Sequence, residues 1–221
     1  MFKDLKAIKG KYYIQRLIDE GEHEHQDFKF QISDVHKIAH SISAFANNDG
    51  GRLLVGVKDN GTIAGLRSEE DIYMLESAAL IYCRPSVELE MTTFLCEGGA
   101  IVLRTIIPRT HDRPVRCREA SGIWQAYYRV GDENIVAHPL MVRAWERSAS
   151  GLGGCLLKLS DSESALLRYL STTSGSTPEE LTRIVRLSLR STENLIVRLA
   201  AMGLVTFKHT SSGFLIVPQE L

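Results

Sequence analysis

The densest basic stretch of the chain runs from Arg109 to Arg118 and also contains His111, Arg113 and Arg116. Arg116 and Arg118 are separated by one residue, and alternate residues of a strand point to the same face. Guanidinium groups in such a row could follow the phosphates of a nucleic acid, which predicts Arg116 and Arg118 as contacts. A charged edge strand that is protected against aggregation would show the same pattern, so both interpretations stay open.

A second group that could do chemistry is His23 and His25, which flank Glu24. In an extended segment, histidines at i and i+2 point the same way and could bind a metal ion. No further ligand pair accompanies them in the sequence. Solvated loop histidines are therefore the favoured interpretation.

The composition is that of an ordinary globular protein, with 221 residues, 44% hydrophobic and 24% charged. This length is sufficient for one large domain or two ordinary ones. A net charge of −1 argues against a uniformly basic surface, so any binding to nucleic acid must come from local patches. Neither a zinc site nor a disulfide framework is predicted, because no CxxC pair occurs among the cysteines, which are Cys83, Cys96, Cys117 and Cys155.

The N-terminal segment is too polar for a signal peptide. No apolar run approaches the roughly 20 residues that a membrane-spanning helix needs. The sequence therefore predicts a cytoplasmic protein without a membrane partner.

Hydrophobic periodicity predicts both helices and strands in a first domain over residues 1–147. Phe28, Phe30 and Ile32 alternate with polar residues, which predicts a half-buried strand with Asp27 on its solvent side. An amphipathic helix follows over 35–46 and ends at Asn-Asn-Asp-Gly-Gly, where glycine permits a tight turn. Further helices are predicted near 11–20, 68–82 and 139–147, and further strands near 52–58, 62–66, 86–96, 100–107, 114–118 and 123–130.

The composition changes over residues 148–158, where small residues without an apolar pattern predict a linker. Residues 159–221 then read as three helices and a hairpin. Ser160 predicts the start of the first helix, and Thr177 followed by Pro178 predicts that of the second. Ser188 precedes the third, whose apolar stripe contains Leu195, Ile196, Leu199 and Met202.

Several motifs in register resemble the Schlafen-type, Alba-like domain family. They are Glu22 with Asp27-Phe28-Lys29, Ala44 to Asn47 before Gly50-Gly51, Gly56-Val57-Lys58-Asp59, and the late Tyr127 to Gly131 segment, which carries Tyr-Tyr-Arg-Val-Gly. The resemblance covers residues 12–147 in the expected order. It implies a Schlafen/Alba-like α+β fold, which is a mixed sheet with flanking helices, and binding of nucleic acid.

Some Schlafen-type proteins cleave RNA with three carboxylates, and the corresponding residues here are Glu22, Asp27 and Asp59. The resemblance implies that these acids could hold Mg²⁺ or Mn²⁺ and generate a nucleophile. The second acid is Asp where the family more often has Glu, which shortens the reach of the carboxylate. The alternative is a loop acid, a solvent-facing strand acid and a turn residue without catalytic function.

The resemblance has two further implications. Many relatives are described as binding ATP, although the sequence has no GxxxxGK[ST] phosphate loop to support it. Lys29 and Arg129 could contact phosphates, or they could be solvated strand residues.

Leu181 to Val205 resembles the winged helix-turn-helix of bacterial regulators, with a Ser before the recognition helix and Met-Gly-Leu-Val at its end. Packing the apolar stripe inward is expected to expose residues that could contact a DNA major groove, namely Arg190, Ser191, Asn194 and Arg198. Lys208 and His209 lie where a wing would approach the backbone. The alternative is a winged helix used for protein contacts or dimerisation.

Three hypotheses follow. The first is a DNA-binding transcriptional regulator, acting as a homodimer, with a Schlafen-type regulatory domain and with RNA as an alternative partner. The second is a divalent-metal-dependent endoribonuclease that uses Glu22, Asp27 and Asp59. The third is a scaffold in which both domains bind proteins.

Overall fold

The computed structural model describes residues 5–149 and 159–219. The chain divides into two compact units, Met1–Val136 and Ala137–Leu221. Apart from its first two positions, the predicted linker lies outside the described residues. The division differs from the predicted boundary by one helix, because the helix predicted over 139–147 packs against a later helix and belongs to the second unit.

The described part of the first unit has an α+β architecture. Its elements in chain order are β1 (Ile8–Lys9), α1 (Lys11–Asp19), β2 (Gln26–Lys29), α2 (Val35–Asn47), β3 (Gly51–Val55), α3 (Glu70–Leu80), β4 (Cys83–Arg84), β5 (Glu90–Leu95), β6 (Ile101–Ile107), β7 (Arg116–Arg118), β8 (Trp124–Val130) and β9 (Glu133–Val136). A mixed sheet has the order β1-β5-β6-β3-β2, with β1 parallel to β5 and β2 parallel to β3. A second, antiparallel sheet has the order β4-β7-β8-β9. The predicted mixed sheet with flanking helices is confirmed.

Helix α2 contacts both sheets and is buried along most of its length. Asp34 caps its N-terminus, since the side chain accepts hydrogen bonds from the backbone N–H groups of His36 and Lys37. Apolar residues of α2, including Ile38 and Ile42, lie in the main core with side chains of α3, β3 and β6. The packing of α2 therefore determines where the second sheet lies relative to the first.

The turn between α2 and β3 requires both of its glycines. Gly50 has a φ of +78°, and a Cβ atom there would lie 2.8 Å from the carbonyl oxygen of Ile107. A Cβ atom on Gly51 would lie 2.2 Å from Cδ1 of Phe45. The prediction that these glycines permit a tight turn is confirmed.

Strand β2 is more buried than its alternating sequence predicts. The sheet has an apolar layer on each face: Leu54 belongs to a cluster with residues of α1, and Leu53 belongs to the main core. Phe28 packs in the α1 cluster, while Gln26 and Asp27 are also buried. The predicted solvent side of this strand is therefore wrong.

The described part of the second unit contains α4 (Pro139–Ala149), α5 (Asp161–Leu170), α6 (Pro178–Val185), α7 (Leu189–Ala201), β10 (Val205–Thr210) and β11 (Gly213–Pro218). Ser160 and Thr177 each form a capping box, and Ser188 caps α7. The three predicted helix starts are confirmed. Strands β10 and β11 form a hairpin, and Ser176 forms an isolated bridge with Ile216 of β11. No helix in the described ranges has the length and apolar character to cross a bilayer.

Candidate nucleic-acid interface and carboxylate site

The carboxyl groups of Glu22 and Asp27 meet where β2 begins. Oε1 of Glu22 accepts a hydrogen bond of 2.8 Å from the backbone N–H of Phe28. Burial raises the pKa of Glu22, and its hydrogen bond with Asp27 raises the pKa further. Asp27 itself is 5% exposed, and its Oδ2 lies 2.6 Å from Nζ of Lys29. Two of the three predicted acids therefore form a hydrogen-bonded pair, in which Asp27 is buried and Glu22 is partly buried, and the adjacent Lys29 is engaged with Asp27.

Arg129 lies inside the first unit with 1% of its surface exposed. Its guanidinium lies 4.7 Å from the ring centroid of Phe45 and 3.5 Å from Oδ1 of Asp27. It also donates hydrogen bonds of 3.0–3.1 Å to three oxygens, the backbone oxygens of His23 and Gln26 and the side-chain Oδ1 of Asn134. Both interpretations of Arg129, as a phosphate contact and as a solvated residue, are corrected: it is a buried structural residue.

Asp59 lies in an exposed turn and lines, together with Glu22, a groove of about 440 Å³. Across the described ranges, the one group of three potential metal ligands with atoms within 4.8 Å of one another does not include these acids. Asp27 is already compensated by two cationic side chains. The three acids as folded therefore do not fit a preformed Mg²⁺ or Mn²⁺ site, which needs several uncompensated oxygen ligands.

The predicted basic stretch separates into two parts. Arg109 forms an ion pair of 2.6 Å with Asp49, and Arg113 donates a hydrogen bond of 3.0 Å to the backbone oxygen of Asn47. Arg116 and Arg118 lie on β7 and point away from the core. The edge-strand interpretation is wrong, because β7 pairs with β4 on one side and β8 on the other.

Two residues that the sequence analysis did not single out lie on the same sheet face as Arg116 and Arg118. Arg84 of β4 is opposite Arg116, and Trp124 of β8 is opposite Arg118. Cζ of Arg84 lies 4.5 Å from the Trp124 ring centroid, a cation–π distance. Arg84 and Arg118 are exposed, and Trp124 is partly exposed. These four residues are called the arginine–tryptophan face below.

A signal for one of the two missed residues was present in the sequence. The predicted strands near 114–118 and 123–130 form a hairpin pair, and extending their pairing from the turn would have placed Trp124 opposite Arg118. Arg84 had no comparable signal, because β4 is two residues long and pairs with β7 across a long stretch of sequence.

Helix α7 exposes fewer of the predicted DNA contacts than expected. Arg190 and Ser191 are exposed at its N-terminus. Asn194, although exposed, accepts a hydrogen bond from Nη2 of Arg143 on α4. Nε of Arg198 lies 3.2 Å from the buried carboxylate of Glu163, while 38% of its side chain is exposed. Contact of Arg198 with DNA stays a prediction, and it would have to compete with this ion pair.

The packing of α4 explains this difference for Asn194, whereas Arg198 pairs with Glu163 on α5. Leu195, Ile196 and Leu199 are buried as predicted, but Val197 on another side of α7 is also buried, while Met202 is partly exposed. The hydroxyl of Ser148 on α4 donates a hydrogen bond to a backbone oxygen near the end of α7. Part of the predicted outer face of α7 is therefore covered by α4.

The hairpin carries the last two predicted contacts. Lys208 is exposed on β10. The ring of His209 lies 5.1 Å from that of Phe214, so this side chain packs along the hairpin and is partly buried. Lys208 is the more accessible of the two for a phosphate.

These features define an α+β protein with a mixed sheet, an arginine-rich second sheet and a separate helical unit. The family profile described as Schlafen, AlbA_2 matches residues 22–138, and the chain belongs to this family. Membership indicates nucleic-acid binding, without specifying DNA or RNA.

One solved structure with a similar chain is the DIP2311 protein from Corynebacterium diphtheriae. The alignment covers 87% of the present chain and 34% of that protein, with 21% identity and a TM-score of 0.43. The chain thus spans about a third of the length of that protein. A search of curated proteins finds no match.

Proposed function

We propose that the first unit binds single-stranded nucleic acid through the arginine–tryptophan face. The observation that carries this proposal is the exposed guanidinium of Arg84 beside the Trp124 ring, next to Arg116 and Arg118. Arginine is suited to phosphate oxygens because its planar fork donates several hydrogen bonds. The net charge of −1 agrees with a local patch rather than a basic surface.

The type of nucleic acid follows from the indole. A sheet face with an accessible aromatic ring can stack an unpaired base, and such stacking is worth about 1–3 kcal/mol per base. Bases inside a duplex are already stacked on each other and are not available to this face. Single strands, or the unpaired loops of RNA, are therefore the expected ligands.

Replacing both Arg84 and Arg118 by Ala is expected to weaken binding to single strands by at least about tenfold. Because two phosphate contacts are lost, the slope of log K against log salt should become less negative by roughly 1.4. Fluorescence anisotropy with labelled DNA and RNA oligonucleotides, titrated at several salt concentrations, measures both quantities.

Arg67→Ala provides the matched control, since Arg67 is also exposed and lies 4.4 Å from an aromatic ring centroid, that of Phe30. It should leave binding unchanged, whereas Trp124→Ala should weaken it without changing the salt slope. Equal affinities for the Arg84/Arg118 variant and the wild type would refute this interface.

A second proposal concerns the other unit. We propose that it is a winged helix-turn-helix and that the protein is a DNA-binding transcriptional regulator. Support comes from the order of α5, the Ser176 bridge, α6, α7 and the β10–β11 hairpin. In such a domain the N-terminal turn of α7 would enter the major groove and the hairpin would approach the backbone.

Because α4 covers part of α7, we expect the main DNA contacts to be Arg190, Ser191 and the hairpin residue Lys208. Changing Arg190 and Lys208 together to Ala is expected to weaken duplex binding by about tenfold while leaving single-strand binding intact. Electrophoretic mobility shifts with a library of duplexes would measure this. Arg168→Ala, an exposed change on α5, is the control, and a loss of duplex binding there as large as in the double variant would contradict the proposal.

The remaining functional hypotheses stay predictions. For an endoribonuclease, the favourable feature is that Glu22 and Asp59 line one groove, and the unfavourable one is that Lys29 and Arg129 already compensate Asp27. Binding of Mg²⁺, Mn²⁺ or ATP and the formation of a homodimer are likewise untested expectations.

A further inference from the structure

Helix α2 and the end of β7 bring together three side chains of the types that bind zinc: His40, Cys117 and Glu119. One potential ligand atom from each lies within 4.8 Å of the other two. Nε2 of His40 is 3.0 Å from Oε1 of Glu119. Among the described residues, this is the one group of three His, Cys, Asp or Glu side chains that satisfies this closeness.

The fold explains the convergence. Cys117 and Glu119 are separated by one residue, so an extended chain points both side chains to the same face. That face is turned towards α2, which carries His40, while Arg116 and Arg118 point the other way. The alternation that produces the arginine–tryptophan face therefore also produces this cluster.

We propose that His40, Cys117 and Glu119 bind Zn²⁺, with water as the fourth ligand. Zinc bonds of about 2.0–2.3 Å in a tetrahedron place neighbouring ligand atoms roughly 3.3–3.8 Å apart, which small rotations of these side chains can reach. A thiolate and a carboxylate balance the charge of the ion. Sulfur and imidazole ligands favour zinc over Mg²⁺, so this site differs in chemistry from a carboxylate site.

The exposure of the three side chains suits an ion that enters from solvent. The side chains of His40 and Glu119 are 22% and 23% exposed, whereas Cys117 is fully buried. The open position for water is therefore on the His40 and Glu119 side. When the Sγ–Zn bond forms, the thiol proton leaves to solvent.

Tyr127 orients two of the ligands. Its hydroxyl donates a hydrogen bond of 2.9 Å to Oε1 of Glu119. Its ring stacks on that of His40, with the centroids 4.2 Å apart and an angle of 17°. Outer contacts of this kind hold ligands in position and contribute to metal affinity. A plain His40–Glu119 ion pair is the competing explanation of the same contacts.

Titration of the metal-free full chain with Co²⁺ distinguishes these explanations. A Cys155→Ser background removes the thiol that lies outside the described ranges. We expect thiolate-to-cobalt charge-transfer absorption that saturates at about one equivalent and disappears when Zn²⁺ displaces Co²⁺. Cys117→Ser should abolish this absorption, and Tyr127→Phe should weaken Zn²⁺ binding on the order of tenfold.

Two control variants remove a cysteine and a histidine that lie outside the cluster. Cys96→Ser removes another buried thiol, and His25→Ala removes a histidine that has a neighbouring histidine. Both should bind Co²⁺ as the wild type does. Absence of charge transfer in the wild-type chain, or its persistence in Cys117→Ser, would overturn the proposal.

A measurement on the wild type alone covers the case in which Cys117→Ser does not fold. X-ray absorption of the zinc-loaded chain should show one sulfur at about 2.3 Å together with nitrogen and oxygen at about 2.0–2.1 Å. A zinc shell of nitrogen and oxygen alone would exclude Cys117 as a ligand and overturn the assignment.

Discussion

Arg129→Met is expected to lower the free energy of unfolding of the first unit by about 3–5 kcal/mol, because it removes one partner of a buried ion pair. The guanidinium is fully buried, and Asp27 opposite it is 6% exposed in its side chain. The backbone oxygens of His23 and Gln26 would each lose the guanidinium donor and keep only the backbone N–H of the other residue. Methionine can fill much of the volume, so the loss reports the polar contacts rather than a cavity.

Urea denaturation of the full chain measures this effect. Trp145→Phe as a background leaves Trp124 as the fluorescent reporter of the first unit. Arg109→Met is the matched control, because Arg109 also pairs with an acid, Asp49, but that pair is exposed. It should cost no more than about 1 kcal/mol. If the two variants were equally stable, the buried position of Arg129 would be refuted.

Much of the fold could be predicted because its signals are local. Helix α2 and the starts of α5, α6 and α7 are specified by apolar periodicity and capping residues within a few positions of each other. The glycine pair after α2 predicted a turn for a steric reason that the structure confirms. Each of these predictions depends only on residues that lie within one or two helical turns of each other in the sequence.

The sequence-based predictions were wrong where contacts between segments that are distant in the sequence determine the structure. Asp27 and Lys29 look solvent-facing from their alternation, but the structure buries Asp27 with Arg129 and covers both sheet faces. The predicted strand over 62–66 is reduced to an isolated bridge between Val57 and Ile63. Strands β1 and β4 have two residues each and form through pairing with distant strands. Two residues are too few to show an alternating pattern, so periodicity could not predict these strands.

The same holds for the candidate sites: local signals could be predicted from the sequence, and contacts between distant segments could not. Arg116 and Arg118 were predictable from their spacing, but Arg84 joins them through strand pairing. The sequence shows no zinc motif at Cys117, because a zinc motif is recognised by a second cysteine nearby. The side chains that lie near Cys117 are instead Glu119 and, from α2, His40. On α7, periodicity correctly identified Leu195, Ile196 and Leu199 as buried, but not Met202, which is partly exposed. The contact of α4 with another side of this helix could not be read from periodicity.

Asn47→Ala is expected to lower the free energy of unfolding by about 3 kcal/mol, since buried backbone groups left without partners cost about 1–3 kcal/mol each. The side-chain amide donates hydrogen bonds of 2.9 and 2.8 Å to the backbone oxygens of Val115 and Tyr127. Its Oδ1 accepts one of 2.7 Å from the Val115 N–H. The Val115 oxygen also accepts a hydrogen bond from the hydroxyl of Ser43 and keeps that donor in the variant. Asn47 therefore joins the end of α2 to the second sheet, and its loss should loosen the arginine–tryptophan face.

Asn47→Asp separates hydrogen bonding from packing, because the two side chains have nearly the same shape. A carboxylate would place an oxygen where the amide nitrogen now donates to two carbonyl oxygens, so Asn47→Asp should be at least as destabilising as Asn47→Ala. Asn60→Ala, which removes an exposed turn bond to the Thr62 N–H, should cost less than about 1 kcal/mol. Urea denaturation of the three variants gives the comparison. A wild-type midpoint for Asn47→Asp would mean that the amide nitrogen does not make these bonds, and the join between α2 and the second sheet would then have to rest on apolar packing alone.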